Sequence, residues 1–103
     1  MVAEKYYAEL MPVHPGEVLR EEYLRPIGLS AGGLAKRLGV PRTRIERLVA
    51  EETSMTVDTA VRLGRFFGTS PDLWMGMQTG YDVKVTMAEK ADILKAIIPL
   101  EAA

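Results

Sequence analysis

Ser30 to Ala50 reads SAGGLAKRLGVPRTRIERLVA, and this stretch decides the fold. Ser30 is a residue type that caps helices, Leu34, Ala35 and Leu38 recur on one face after it, and Gly39 suits the left-handed residue that ends such a helix. Pro41 stands where a first helical position tolerates proline. The helix it opens, from Pro41 to about Ala50, puts Ile45, Leu48 and Val49 on its buried side. Two helices can meet through an abrupt turn only if they pack closely, which Ala35 allows by its size and Gly39 by its freedom to take positive φ. The spacing Ala35-x3-Gly39-x5-Ile45-x2-Leu48 therefore predicts a helix-turn-helix, the unit whose second helix enters the DNA major groove.

The charge of this segment points the same way. The chain of 103 residues carries a net charge of −1, which offers nucleic acid no general attraction. Yet Lys36, Arg37, Arg42, Arg44 and Arg47 stand here against the single acid Glu46, so the segment holds +4 and the remainder −5. Folding alone does not require so many arginines on one face. An exposed arginine-rich helix is also the ordinary look of a solvated surface, with Arg42 and Glu46 forming an i,i+4 pair worth a few tenths of a kcal/mol.

On either side of the segment, helical periodicity recurs. A first helix follows His14-Pro15-Gly16, carries Val18, Leu19 and Tyr23 on one face and should stop before Pro26. A fourth, capped by Thr56, turns Val57, Ala60, Leu63 and Phe67 inward and closes at Gly68. Ser70-Pro71 opens a fifth with Leu73, Trp74, Met77 and Tyr81. Val83-Lys84-Val85 alternates like a very short strand, and Thr86 with Glu89 forms a capping box for a final helix bearing Ala91, Leu94 and Ile98. Trp74, Phe66, Phe67, Met75 and Met77 fall at helical spacing and read as core.

Length and balance suit one soluble domain: 48% of residues are hydrophobic and 26% charged. Met1 to Leu10 lacks the apolar core of a secretory signal, and no run approaches the about 20 apolar residues of a membrane span, so a cytoplasmic protein is expected. There is no cysteine. His14 is the only histidine, without a second metal ligand or a nucleophile nearby, and is expected to help start the first helix. The pairs Glu21-Glu22 and Glu51-Glu52 point in different directions on a helix. Nothing resembles a nucleophile-base pair, a metal cluster or a phosphate loop, so no enzyme, cofactor or metal is expected.

His14-Pro15-Gly16-Glu17-Val18-Leu19, Gly28-Leu29-Ser30, Leu34-Ala35, Leu38 through Ile45, Asp58 through Leu63, and Phe67-Gly68-Thr69-Ser70-Pro71 through Trp74 resemble the HigA-type antitoxins, a branch of the XRE helix-turn-helix class. The resemblance runs from Pro12 to about Asp82. It implies an all-α, lambda-repressor-like domain of five helices, a homodimer on a palindromic operator in double-stranded DNA, and often a partner toxin of the HigB type, an RNA-cleaving enzyme. It also implies that the first turns of the second helix of the motif reach base edges, a role that falls to Arg42, Thr43, Glu46 and Arg47. Arg42 and Arg47 can donate two bonds to guanine, Thr43 can touch a thymine methyl and Glu46 can accept from cytosine. Arg44, Lys36 and the amino end of the preceding helix at Ser30 and Ala31 are placed for phosphate.

Two departures from the family pattern stand out. Gly32-Gly33 replaces better helix formers, at a cost of about 1 kcal/mol each relative to Ala. Glu51-Glu52 occupies the exit of the second helix, where the family places basic residues and glycine, so either these acids weaken DNA binding or their loop is turned away. An interaction module that binds a toxin without DNA, and a regulator of this class without a toxin, are the alternatives. The expected organisation is an arm over residues 1–11, the helix-turn-helix domain over 12–82 and a dimerisation segment over 83–103. Val83, Val85, Leu94 and Ile98 are the candidate dimer contacts, with packing of the segment back on its own domain as the other possibility.

Overall fold

The computed structural model describes residues 12–101, and the expected arm over 1–11 lies outside them. The described residues form helices only. The first, α1, begins as Pro15–Val18, widens into a π-helix over Leu19–Leu24 and returns to α geometry over Arg25–Ile27. It therefore runs past Pro26, where the sequence suggested a stop. Proline lacks an N–H and its ring collides with the carbonyl four residues back in an α-helix. The wider turn relieves that collision: the N–H of Arg25 bonds the carbonyl of Arg20, five residues back. Gly28, at φ +64°, ends the helix.

Ser30 caps α2 (Ala31–Leu38), its hydroxyl accepting the N–H of Gly33 at 2.9 Å. Gly39, at φ +72°, makes the turn, and α3 (Arg42–Val49) follows with Pro41 as its extended cap, one residue earlier in role than expected. Thr56 caps α4 (Val57–Phe67), accepting from the N–H of Thr59, and Ser70 caps α5 (Pro71–Glu89). A short α6 covers Ala91–Ala96.

The core is Leu19, Leu24, Leu34, Ala35, Leu38, Ile45, Leu48, Met55, Ala60, Leu63 and Trp74. Tyr23 joins α1 to it, its ring centroid 4.9 Å from those of both Phe67 and Trp74. The Trp74 indole keeps its hydrogen bond by donating to Thr69 Oγ1 at 3.0 Å, as a buried indole N–H requires. Val57 does not turn inward. It is 64% exposed, because Thr59, Ala60, Leu63 and Gly64 set the inner face of α4 and Val57 shares the outer one with Val61.

His14-Pro15-Gly16 is a docking device. His14 is buried and caps α1, its Nδ1 accepting the N–H of Gly16 at 2.9 Å, while its ring meets the edge of Tyr81 from α5. A Cβ on Gly16 would lie 1.9 Å from the carbonyl oxygen of Leu48. Only glycine lets α1 press against the end of α3.

Val83-Lys84-Val85 is not a strand but part of α5. Three residues without a neighbouring strand would leave their backbone groups unpaired, whereas a helix pairs them internally. Thr86 and Glu89 accordingly sit in the last turn of α5, not at a helix start, and α6 follows Lys90 without a side-chain cap. Ile98 lies beyond α6. From Thr86 to Glu101 every residue is exposed. The shape is correspondingly long, 55 × 23 × 23 Å, with a radius of gyration of 16.8 Å against about 13 Å for a compact chain of 100 residues.

Candidate nucleic-acid interface

Ile45 and Leu48 are 0% and 2% exposed and fasten α3 to the core by one side. With a residue every 100°, that anchoring turns Arg42, Thr43, Glu46 and Arg47 to the surface, and all four are exposed. Arg42 Nε donates to Glu46 Oε2 at 2.8 Å, so the i,i+4 pair forms on the exposed face. The Arg47 side chain makes no hydrogen bond or ion pair with any described residue and is exposed. Thr43, Arg44 and Arg47 share a shallow groove with Thr53, Ser54, Thr56 and Asp58 from the loop and first turn beyond α3.

Arg44 is the anchored arginine of α3. Its Nη1 reaches Asp58 Oδ2 at 2.5 Å, and Arg62 donates to the same oxygen at 3.0 Å. Arg62 also donates to the carbonyl of Leu38 at 2.8 Å, so one chain of polar contacts ties the end of α2, the middle of α3 and the start of α4. The hydrogen bonds from Arg44 and then Arg62 hold the Asp58 carboxyl below the usual carboxylate range.

Ser30 is exposed and Ala31 half-buried at the amino end of α2, where they border a depression with Arg20, Arg25 and Leu29 of the preceding segment. Lys36 is exposed in the last turn of α2 and lines neither depression. Arg37 lies over the Phe66 ring, 5.8 Å from its centroid.

The acids after α3 turn out to be arranged and partly neutralised. The N–H of Glu51 bonds the carbonyl of Leu48 and that of Glu52 bonds the carbonyl of Arg47, which is the Schellman ending of a helix. Glu51 takes the left-handed position at φ +64°. Its carboxylate lies 3.2 Å from Arg20 Nη1 of α1, which also donates to the carbonyl of Val49. Glu51 is thus directed back at α1, and both acids remain exposed. Sequence reasoning missed Arg20 because it sits in the run Arg20-Glu21-Glu22-Tyr23-Leu24-Arg25, whose charges cancel. It missed Asp58 and Arg62 because the contacts of Asp58 with Arg44 and of Arg62 with Leu38 cross between helices.

Of the candidate dimer residues, Val83, Leu94 and Ile98 are 50%, 42% and 87% exposed, and Val85 is half-buried. Among the described residues no helix is long and apolar enough to cross a membrane.

The family described as Helix-turn-helix matches residues 19–74. Virulence-associated protein I of Dichelobacter nodosus is 51% identical over 92 residues, spanning 89% of this chain and 84% of that protein. Antitoxin HigA-1 of Vibrio cholerae is 30% identical over 89 residues, 86% of this chain and 84% of that one. The structure of the Pseudomonas aeruginosa antitoxin HigA with the higBA promoter matches with a TM-score of 0.86 at 36% identity, covering 88% of this chain and 100% of the other.

Proposed function

We propose, because this chain belongs to the helix-turn-helix family and within it to the HigA-type antitoxins, that it is a sequence-specific DNA-binding repressor which acts as a homodimer on a palindromic operator. The observation that carries this reading is the division of α3: Ile45 and Leu48 are buried while Arg42, Thr43 and Arg47 face solvent. The HigA of Pseudomonas aeruginosa, of the same fold, is seen with its own promoter. Arg42, Thr43 and Arg47 are assigned to base edges, with Glu46 beside Arg42 on the same face. Ser30, Ala31, Lys36 and Arg44 are assigned to phosphates. A two-fold axis would space the two α3 helices by about 34 Å, one turn of the duplex.

As an antitoxin the protein also silences a toxin of the HigB type and limits transcription of its own operon. It works in the cytoplasm and carries out no catalysis itself. The domain is assigned to residues 12–82, and the segment from Val83 on to dimerisation.

The salt dependence of binding tests the reading. A dimer that meets several phosphates with Lys and Arg loses affinity for the DNA upstream of its own gene by about a thousandfold between 50 and 200 mM salt. A gel-shift or anisotropy titration checks it. A flat response would favour a module that engages protein alone.

A further inference from the structure

We propose that Arg42 is a preset reader of guanine, held in one orientation by Glu46 on one side and by the bare backbone of Gly32 on the other, which makes Glu46 and Gly32 positioning residues for operator recognition. The inference rests on the DNA-binding reading of α3.

Three observations carry it. A Cβ built on Gly32 would lie 3.0 Å from Arg42 Nε and 3.2 Å from its Cζ. The arginine of α3 therefore lies across the first turn of α2 where that helix has no side chain. On its other flank the same Nε donates to Glu46 at 2.8 Å. Yet the Arg42 side chain is 74% exposed, so the fixed group is not buried. With Nε occupied, the two terminal nitrogens are left to point at a partner. Two parallel N–H donors match the O6 and N7 acceptors of guanine in the major groove.

The neighbouring carboxylate also bears on the choice of target. A phosphate brought to Arg42 would approach the charge of Glu46, whereas the neutral edge of a guanine would not meet that repulsion. Glu46 then acts through the arginine and not as a reader of cytosine. Holding the guanidinium in place before binding removes part of the ordering cost of a long side chain. It also gives a reason for glycine in the first turn of α2, a residue that weakens helices: an alanine there would press on the guanidinium.

The test uses the full chain, the DNA immediately upstream of its coding sequence and an unrelated duplex of equal length. Arg42→Ala is expected to weaken promoter binding about tenfold or more with little change on the unrelated duplex. Gly32→Ala should raise the melting temperature, because it removes a glycine from a helix, and yet weaken promoter binding by about three- to tenfold. In the Arg42→Ala background the same change should cost nothing further. Glu46→Ala should behave as Gly32→Ala does in binding, and in the free protein it should abolish the protection of the Arg42 Nε–H signal in NMR spectra. Undiminished promoter binding by Gly32→Ala, an equal loss in the Arg42→Ala background, or an unprotected Nε–H in the wild type would overturn the proposal. A wild type that binds neither duplex would instead overturn the DNA-binding reading, and this inference with it.

Discussion

Glu51 occupies a backbone conformation that glycine takes without cost and other residues at about 1–2 kcal/mol. Its ion pair with Arg20 is partly exposed, a setting in which such pairs contribute about 0–1 kcal/mol. Conformation should outweigh charge, so Glu51→Gly is expected to stabilise the protein by about 0.5–1 kcal/mol in urea unfolding. Gly16 gives the opposite case. The Leu48 carbonyl leaves no room for a methyl group, so Gly16→Ala should destabilise by at least about 3 kcal/mol by forcing α1 off the end of α3. Gln78 is nearly buried: its Oε1 accepts the N–H of Met55 at 2.7 Å and its Nε2 donates to Asp82 at 2.9 Å. Gln78→Leu strands the N–H of Met55 and should cost about 1–3 kcal/mol in the same measurement. The roles of Gly39 and Ser30 were readable from sequence because a turn and a cap are local matters. Those of Gly16, Gly32 and Gln78 were not, since each is defined by what another helix brings against it.

Among the helices, α3 owes its placement to Ile45 and Leu48 from within and to the Arg44–Asp58–Arg62 cluster from outside. Because the Asp58 carboxyl titrates lower in the folded protein, its contribution is present above the unfolded value and is lost as pH falls through the folded one. Asp58→Asn removes that contribution at neutral pH. The stability gap between wild type and variant should therefore be open above about pH 5 and close as the pH falls well below about 4, as followed by chemical denaturation. Helices with a buried stripe and a local start signal, a Ser or Thr cap for α2 and α4 and Pro41 for α3, were legible in the sequence. The ends of α1 and α5 were not. Pro26 normally stops a helix, and only the π-helical turn ahead of it lets α1 continue. The alternation of Val83 and Val85 had the period of a strand, but three residues without a partner strand cannot satisfy their backbone.

The molecule as a whole divides into a packed body and an exposed tail. Met87, Ile93, Leu94, Ile97, Ile98 and Leu100 are all at least 42% exposed, so the tail presents apolar surface that its own body does not cover. Ending the chain after Asp82 is expected to convert the dimer to a monomer in light scattering, and an unaltered mass would place the dimer contact on the body instead. That the segment is rich in apolar residues was legible in the sequence; that α5 carries it away from the core was not. On the proposed placement, with the joining surface on this tail and the DNA-reading helix on the body, pairing follows the law of mass action. When most copies are single, halving the number of molecules in a cell quarters the supply of pairs. A gene held in check by such pairs is released more steeply than its regulator is diluted.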